Sequence, residues 1–211
     1  VRGSEVVVEV VEEMGYNTLQ VFDECKITET HVKSYDRKTG ALATEKATKL
    51  GCTGKLEISS EYKTIVKNCE GVEQKSVKKI TKLTGTISVH MPLAIARTVF
   101  GLNNEGLKPG VYGISDTTNT PDMCLTTKAI DLFTDEEKYI CLPKIAFTTG
   151  FAKTIDNTSE EVAEVELEFN AYKDENNEFY YEACASEVDK TSIGDKWLEE
   201  FTPSMVKAPT A

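Results

Sequence analysis

The side chains with the greatest chemical reach in this sequence are two histidines, six cysteines and a file of glutamates in its last quarter. Glu164, Glu166 and Glu168 alternate with Val165, Leu167 and Phe169 in the stretch E-V-A-E-V-E-L-E-F-N-A-Y, residues 161–172. At period two this segment is a half-buried strand, with Ala163, Val165, Leu167, Phe169 and Ala171 inward and the carboxylates and Asn170 outward. Same-face neighbours lie about 7 Å apart, inside a screening length of about 8 Å, so the carboxylates repel one another and any nearby phosphate. Two readings fit: a solvated face on which charges cluster, or a surface that passes a polyanion without holding it. Alternation explains the spacing better than a glycosidase-type acid/base pair held across a cleft does.

The remaining reactive residues form no catalytic pattern. His31 and His90 stand outside any H-E-x-x-H motif, no G-x-S-x-G is present, and His90 falls on the wet face of its strand with Thr86 and Ser88. Cys25, Cys52, Cys69, Cys124, Cys141 and Cys184 are scattered singly, without a C-x-x-C pair or a histidine at ligand spacing. Without an export signal they are expected to be free thiols packed as small hydrophobes; three disulfides would require an oxidising compartment. The N-T-S acceptor at 157–159 likewise has meaning only after secretion. K-D-E-N-N-E, residues 173–178, lacks the glycine and distal glutamate of a calcium loop and reads as a polar hairpin tip. Gly101, Gly106, Gly110 and Gly113 are too widely spaced to cradle a phosphate. The expectation is a chain with no enzymatic activity, no metal and no cofactor.

Composition narrows the class further. The 211 residues suit one domain with one substantial core, and the 35 acidic against 24 basic residues give a net charge of −11. A surface that neutralises a nucleic-acid backbone needs clustered Lys and Arg, so tight nucleic-acid binding is not expected. No apolar run approaches the ~20 residues that span a bilayer, and the opening V-R-G-S-E-V-V-V-E-V-V-E-E carries acids within its apolar stretch. The expected compartment of synthesis is a cytoplasm, without membrane association.

β signals dominate the elements that position these residues. Leu19, Val21, Cys25 and Ile27 alternate in one stretch, and Leu56, Ile58, Ser60 and Tyr62 in a second. The N-C-E-G turn at 68–71 leads into a long second hairpin arm with Gly85, Ile87, Val89 and Met91 on one face and a bulge expected at Gly85. A helix follows Pro92, with an apolar stripe of Leu93, Ile95, Ala96, Val99 and Phe100, and Gly101 closing it. Residues 103–121 read as an extended loop with a short strand at V-Y-G-I-S. Strands resume at C-L-T-T-K-A-I-D-L-F and at E-K-Y-I-C-L-P-K-I-A-F, where Pro143 marks an edge or bulge. The acidic strand is expected to form a hairpin with F-Y-Y-E-A-C-A, pairing Phe179, Tyr181 and Ala183 across it. Ser192, Asp195, Ile193, Trp197, Leu198 and Phe201, with Pro203 beyond, predict a late C-terminal helix. Residues 1–16 read as an N-terminal arm and 202–211 as a tail. The polar stretch 35–51 is either an exposed hairpin loop or a docking arm.

Two blocks carry a resemblance. L-A-I-A-R-T-V-F-G-L-N-N-E-G-L-K-P-G-V-Y-G, followed far downstream by E-V-A-E-V-E-L-E-F-N-A-Y-K-D-E-N-N-E-F-Y-Y-E-A, resembles the major tail (tail tube) proteins of long-tailed bacteriophages of Gram-positive hosts, in a pattern running from Leu19 to Phe201. No single motif in it is diagnostic. The resemblance implies a mainly β, α+β fold: a β-sandwich or split barrel of two sheets with a short packed helix, a late helix and extended arms. It implies hexameric rings stacked into a tube of the virion tail, assembled in the bacterial cytoplasm, that passes double-stranded DNA. The implied partners are the chain itself and the tape measure, tail terminator and distal tail proteins. A ring is a head-to-tail assembly and needs two different complementary patches. Lys33, Arg37, Lys38, Lys46 and Lys49 are the candidates for contact with the next ring, and Glu164, Glu166 and Glu168 for the lumen wall, where an acidic lining keeps DNA from binding.

The alternative from another class is a monomeric β-sandwich binding module for a host surface or carbohydrate, with a hydrolase third; the tube of a contractile tail or phage-tail-like bacteriocin is a close relative of the tail-tube reading. The single tryptophan, Trp197, is already used by the helix stripe, which leaves no aromatic platform for a sugar.

Overall fold

The structure is a computed structural model that describes residues 22–70, 72–116, 118–153 and 164–208. The expected N-terminal arm, Leu19, Val21, Ala163 and the N-T-S acceptor lie outside the described residues.

The chain is mainly β, as its alternation predicts. Strands β1 (Glu24–Ser34), β2 (Thr48–Lys49), β3 (Cys52–Cys69), β4 (Val72–His90), β5 (Met123–Asp131), β6 (Glu137–Phe147), β7 (Val165–Ala171) and β8 (Tyr181–Cys184) form one antiparallel sheet, where two were expected. Its order is β2-β1-β5-β6-β7-β4-β3, with β8 on β6 beside β7. The sheet curls, so that β1 and β5 on one side and β3 and β4 on the other enclose a common interior.

Among the described residues there is one α-helix, α1 (Leu93–Val99), which follows β4. Its end is set by Gly101 at φ 71°, where the N–H of Leu102 donates to the Arg97 carbonyl and that of Gly101 to the Thr98 carbonyl. Val99 and Phe100 are buried against Ile87, Val89, Leu125, Leu142, Ile145, Leu167 and Phe169, while Leu93, part of the predicted stripe, is exposed. The opposite face of β5 and β6 carries a second core in which Trp197 and Phe201 cover Cys124, Tyr139 and Cys141.

Several elements differ from expectation. β7 and β8 are not hairpin partners: Tyr139 pairs with Ala183 and Cys141 with Tyr181, whereas Ile145 pairs with Ala171 and Phe147 with Phe169. The two strands share one edge of β6 and are separated at Pro143, which has no N–H to offer a ladder. The predicted bulge at this proline is present, since Leu125 pairs with Leu142 and Met123 with Ile145. The late helix is replaced by turns and two short 3-10 turns, Gly194–Lys196 and Pro203–Val206. Asp189, not Ser192, organises its start, accepting the Ser192 N–H at 2.7 Å. Gly85 is not bulged; β4 bulges instead at Thr81, between the pairs Glu61–Lys82 and Tyr62–Ile80. The V-Y-G-I-S strand is reduced to a single bridge between Asn103 and Gly113.

Candidate functional site: an acidic wing and a free-standing ribbon

Strands β3, β4 and β7 form a wing whose side chains are ordered by register. Glu57 lies opposite Thr86 and Thr86 opposite Glu168; Lys55 lies opposite Ser88 and Ser88 opposite Glu166. One face of the wing therefore carries acids on both flanks of a Ser/Thr strip. Glu164, Glu166 and Glu168 are all exposed on it, while Leu167 and Phe169 of the same strand are buried. Lys55 pairs with Glu57 at 2.7 Å and Lys82 with Glu61 at 3.2 Å, and the imidazole Nε2 of His90 stands 3.6 Å from Glu164. Hydrogen bonds from Lys55 and Thr86 hold the Glu57 carboxyl below its usual range, the lysine being the larger cause. Glu166 and Glu168 have no ion-pair partner among the described residues.

Gly85 belongs to the wing's construction. A Cβ there would stand 2.2 Å from the Glu57 carbonyl and 2.5 Å from the Phe169 ring, so β4 reaches this close to both only without a side chain. Periodicity alone does not reveal this; it points to Gly85 only as an interruption of β-branched residues.

Beyond Leu83, which pairs with Ala171, β7 ends while β3 and β4 run on together. They pair as far as Cys69 and Val72, and Glu70 follows β3 at φ 52°. Every described side chain from Glu61 to Thr81 is exposed, including Tyr62, Ile65, Val66, Val72, Val77 and Ile80. On the face continuous with the acidic wing, Lys63 lies directly opposite Lys79 and Lys67 opposite Lys75, with Ile65 and Val77 between the two pairs. The sequence signal for this ribbon is the length of its arms, 18 and 19 residues, against 7 for β7.

The five cations expected to contact a neighbouring ring do not form one face. Lys33 is only 8 % exposed in β1, Arg37 and Lys38 sit at an exposed turn, and Lys49 is on β2. Lys46 is bound within the chain, 2.7 Å from Glu199 and 3.1 Å from Glu200. The stretch 35–51 is itself folded back: Asp36 accepts the backbone N–H groups of Lys38 and Thr39, the Ala43 N–H donates to the Ser34 carbonyl and that of Ala47 to the Glu199 carbonyl.

A cleft of about 740 Å³ opens between β1 and β3, lined by Ile27, Leu56, Ile58, Leu83 and Ile140, with Lys26, Lys55 and Glu178 as its charged members. His31 is buried with its Nε2 3.4 Å from Glu29. Cys52, Cys69, Cys124, Cys141 and Cys184 are free thiols. Among the described residues no group of His, Cys, Asp or Glu is arranged to hold a metal ion, and no helix is long and apolar enough to cross a membrane. The chain matches no protein-family model and no curated protein sequence.

Proposed function

We propose that this protein is a self-assembling structural subunit: a tail-tube protein that forms stacked, hexameric rings in a phage virion and leaves a bore for double-stranded DNA. The observation that carries the reading is the free-standing ribbon. An isolated two-stranded hairpin is marginal in water, and its exposed valines, isoleucines and tyrosine form an apolar surface of the kind that marks an interaction site. β3 is the last strand of the sheet, and β4 loses its β7 partner beyond Leu83, so both offer unpaired main-chain edges. Edge joining between copies would extend the sheet around a ring.

A second exposed apolar surface, Leu107, Val111, Tyr112 and Ile114 after α1, supplies the different patch that head-to-tail assembly needs. The acidic wing face is our candidate bore lining, with Glu164, Glu166 and Glu168 its carboxylates. Tape measure, terminator and distal tail proteins are the further partners that the resemblance implies.

Electron microscopy of the concentrated protein tests the assembly. Stacked annuli of uniform bore are expected, and isolated compact particles at every concentration would favour a monomeric binding module instead. In a phage carrying Glu164→Lys, Glu166→Lys and Glu168→Lys together, tubes should assemble while DNA delivery is slowed or blocked; normal infectivity would remove the lumen assignment.

A further inference from the structure

The ribbon carries an arrangement that the chain does not satisfy by itself. Like charges directly opposite on neighbouring strands destabilise a ladder, and here two such pairs, Lys63–Lys79 and Lys67–Lys75, occupy one face. None of the four lysines forms an ion pair with a carboxylate whose side chain is among those described, which leaves Glu73 aside. On the same face, nearer the body, β3 carries Glu57 and Glu61. On this face the opposed lysines thus stand toward the tip, and the glutamates, each beside a lysine of its own, toward the base.

Side-by-side joining of two ribbons without stagger would set the lysine rows of one against those of the other. Joining the free edge of β4 to the β3 edge of a second copy with an offset removes that conflict. Lys79 and Lys75 stand level with Lys63 and Lys67, and these lie six residues beyond Glu57 and Glu61 respectively along β3. One offset of six residues, about 20 Å at strand rise, therefore sets Lys79 against Glu57 and Lys75 against Glu61 at once. The shift is even, so it keeps inner and outer faces aligned; an odd shift would turn every side chain to the other face.

We infer that the opposed lysine pairs of the ribbon are a register device, which bind Glu57 and Glu61 of a second copy of this chain and fix the stagger between neighbouring ribbons. The inference rests on the self-assembly reading and names the contact within it. Glu57 and Glu61 already pair with Lys55 and Lys82 in the same chain; the same offset sets Lys82 level with Lys55 of the second copy, so each incoming lysine joins a carboxylate that already holds one lysine. Because the sites are exposed strand positions, charge reversal leaves the buried core untouched.

The test is a mixing experiment followed by sedimentation velocity and electron microscopy. One variant carries Lys75→Glu and Lys79→Glu; the other carries Glu57→Lys and Glu61→Lys. Each alone places like charges at the junction and should associate roughly tenfold or more weakly than the unaltered protein. An equimolar mixture restores opposite charges at every junction and should recover assembly. Either variant assembling alone as well as the unaltered chain would overturn the register device while leaving self-assembly standing. An unaltered chain that stays monomeric at every concentration would overturn both. If Lys75→Glu with Lys79→Glu abolishes low-salt binding of a short DNA duplex but leaves assembly unchanged, the lysines serve a polyanion and the inference fails.

Discussion

At Gly85 a missing side chain decides a contact between two elements. Both neighbours that a Cβ would strike, the Glu57 carbonyl and the Phe169 ring, are fixed, one as sheet backbone and the other as a side chain 1 % exposed. Gly85→Ala should cost about 1–3 kcal/mol or more in chemical denaturation, the range for overpacking a fitted core. Asp131 acts by its oxygens. Buried at the β5–β6 turn, it accepts the backbone N–H groups of Asp23 at 3.0 Å and Phe133 at 2.8 Å. These bonds, that of Asp23 foremost, hold its carboxyl below the usual range. A depressed carboxyl contributes stability fully above its unfolded pKa of about 3.9, and the contribution is lost as pH falls through the folded value. Thermal unfolding midpoints should thus fall on acidification below about pH 4, and Asp131→Asn should flatten that dependence. A slope unchanged by the substitution would remove Asp131 from the acid response.

Among the elements, the C-terminal segment gains its order from packing. Trp197 is 2 % exposed, stacks with Tyr139 at a centroid distance of 5.9 Å and donates its indole N–H to the Ile140 carbonyl at 3.2 Å. Trp197→Ala should destabilise by about 3–5 kcal/mol, as removal of a large buried aromatic does. It should also loosen the turns around it, seen as faster hydrogen exchange at Leu198–Phe201 with the β4–β7 ladder unaffected. The ribbon is the opposite case, an element with no core beneath it. Replacing residues 62–80 by a two-residue turn should leave the unfolding midpoint of the body within a few degrees of its original value while abolishing self-association. A body that fails to fold without the ribbon would mean that the arm serves the monomer.

For the molecule as a whole, charge is segregated within a strongly acidic chain. The net charge of −11 coexists with a ribbon tip bearing Lys63, Lys67, Lys75, Lys78 and Lys79. Association that brings this tip to the acidic part of another copy should weaken with salt, since screening falls from about 10 Å at 0.1 M to about 3 Å at 1 M. Light scattering across that range should show assembly decreasing. Association that strengthens monotonically with salt would mean that apolar contacts between ribbons or α1 loops dominate.

Alternation by itself determined the strands. In β7 the residues Val165, Leu167, Phe169 and Ala171 turn inward and Glu166 and Glu168 outward, because a period of two leaves a strand no other way to bury its apolar half. The α1 helix and its glycine stop were equally local, set by Pro92 and Gly101 within a few residues of the turn they shape. Partner choice was not local. That β8 joins β6 beside β7, that Trp197 covers Cys141 from a turn and not a helix, and that stretch 35–51 folds back while the β3–β4 hairpin projects are decided by which edges and faces remain unfilled once the core has closed. A pattern along one strand states which side of it faces water; only the tertiary structure states which strand lies next to it, because that choice is settled by competition among many distant segments for the same few edges.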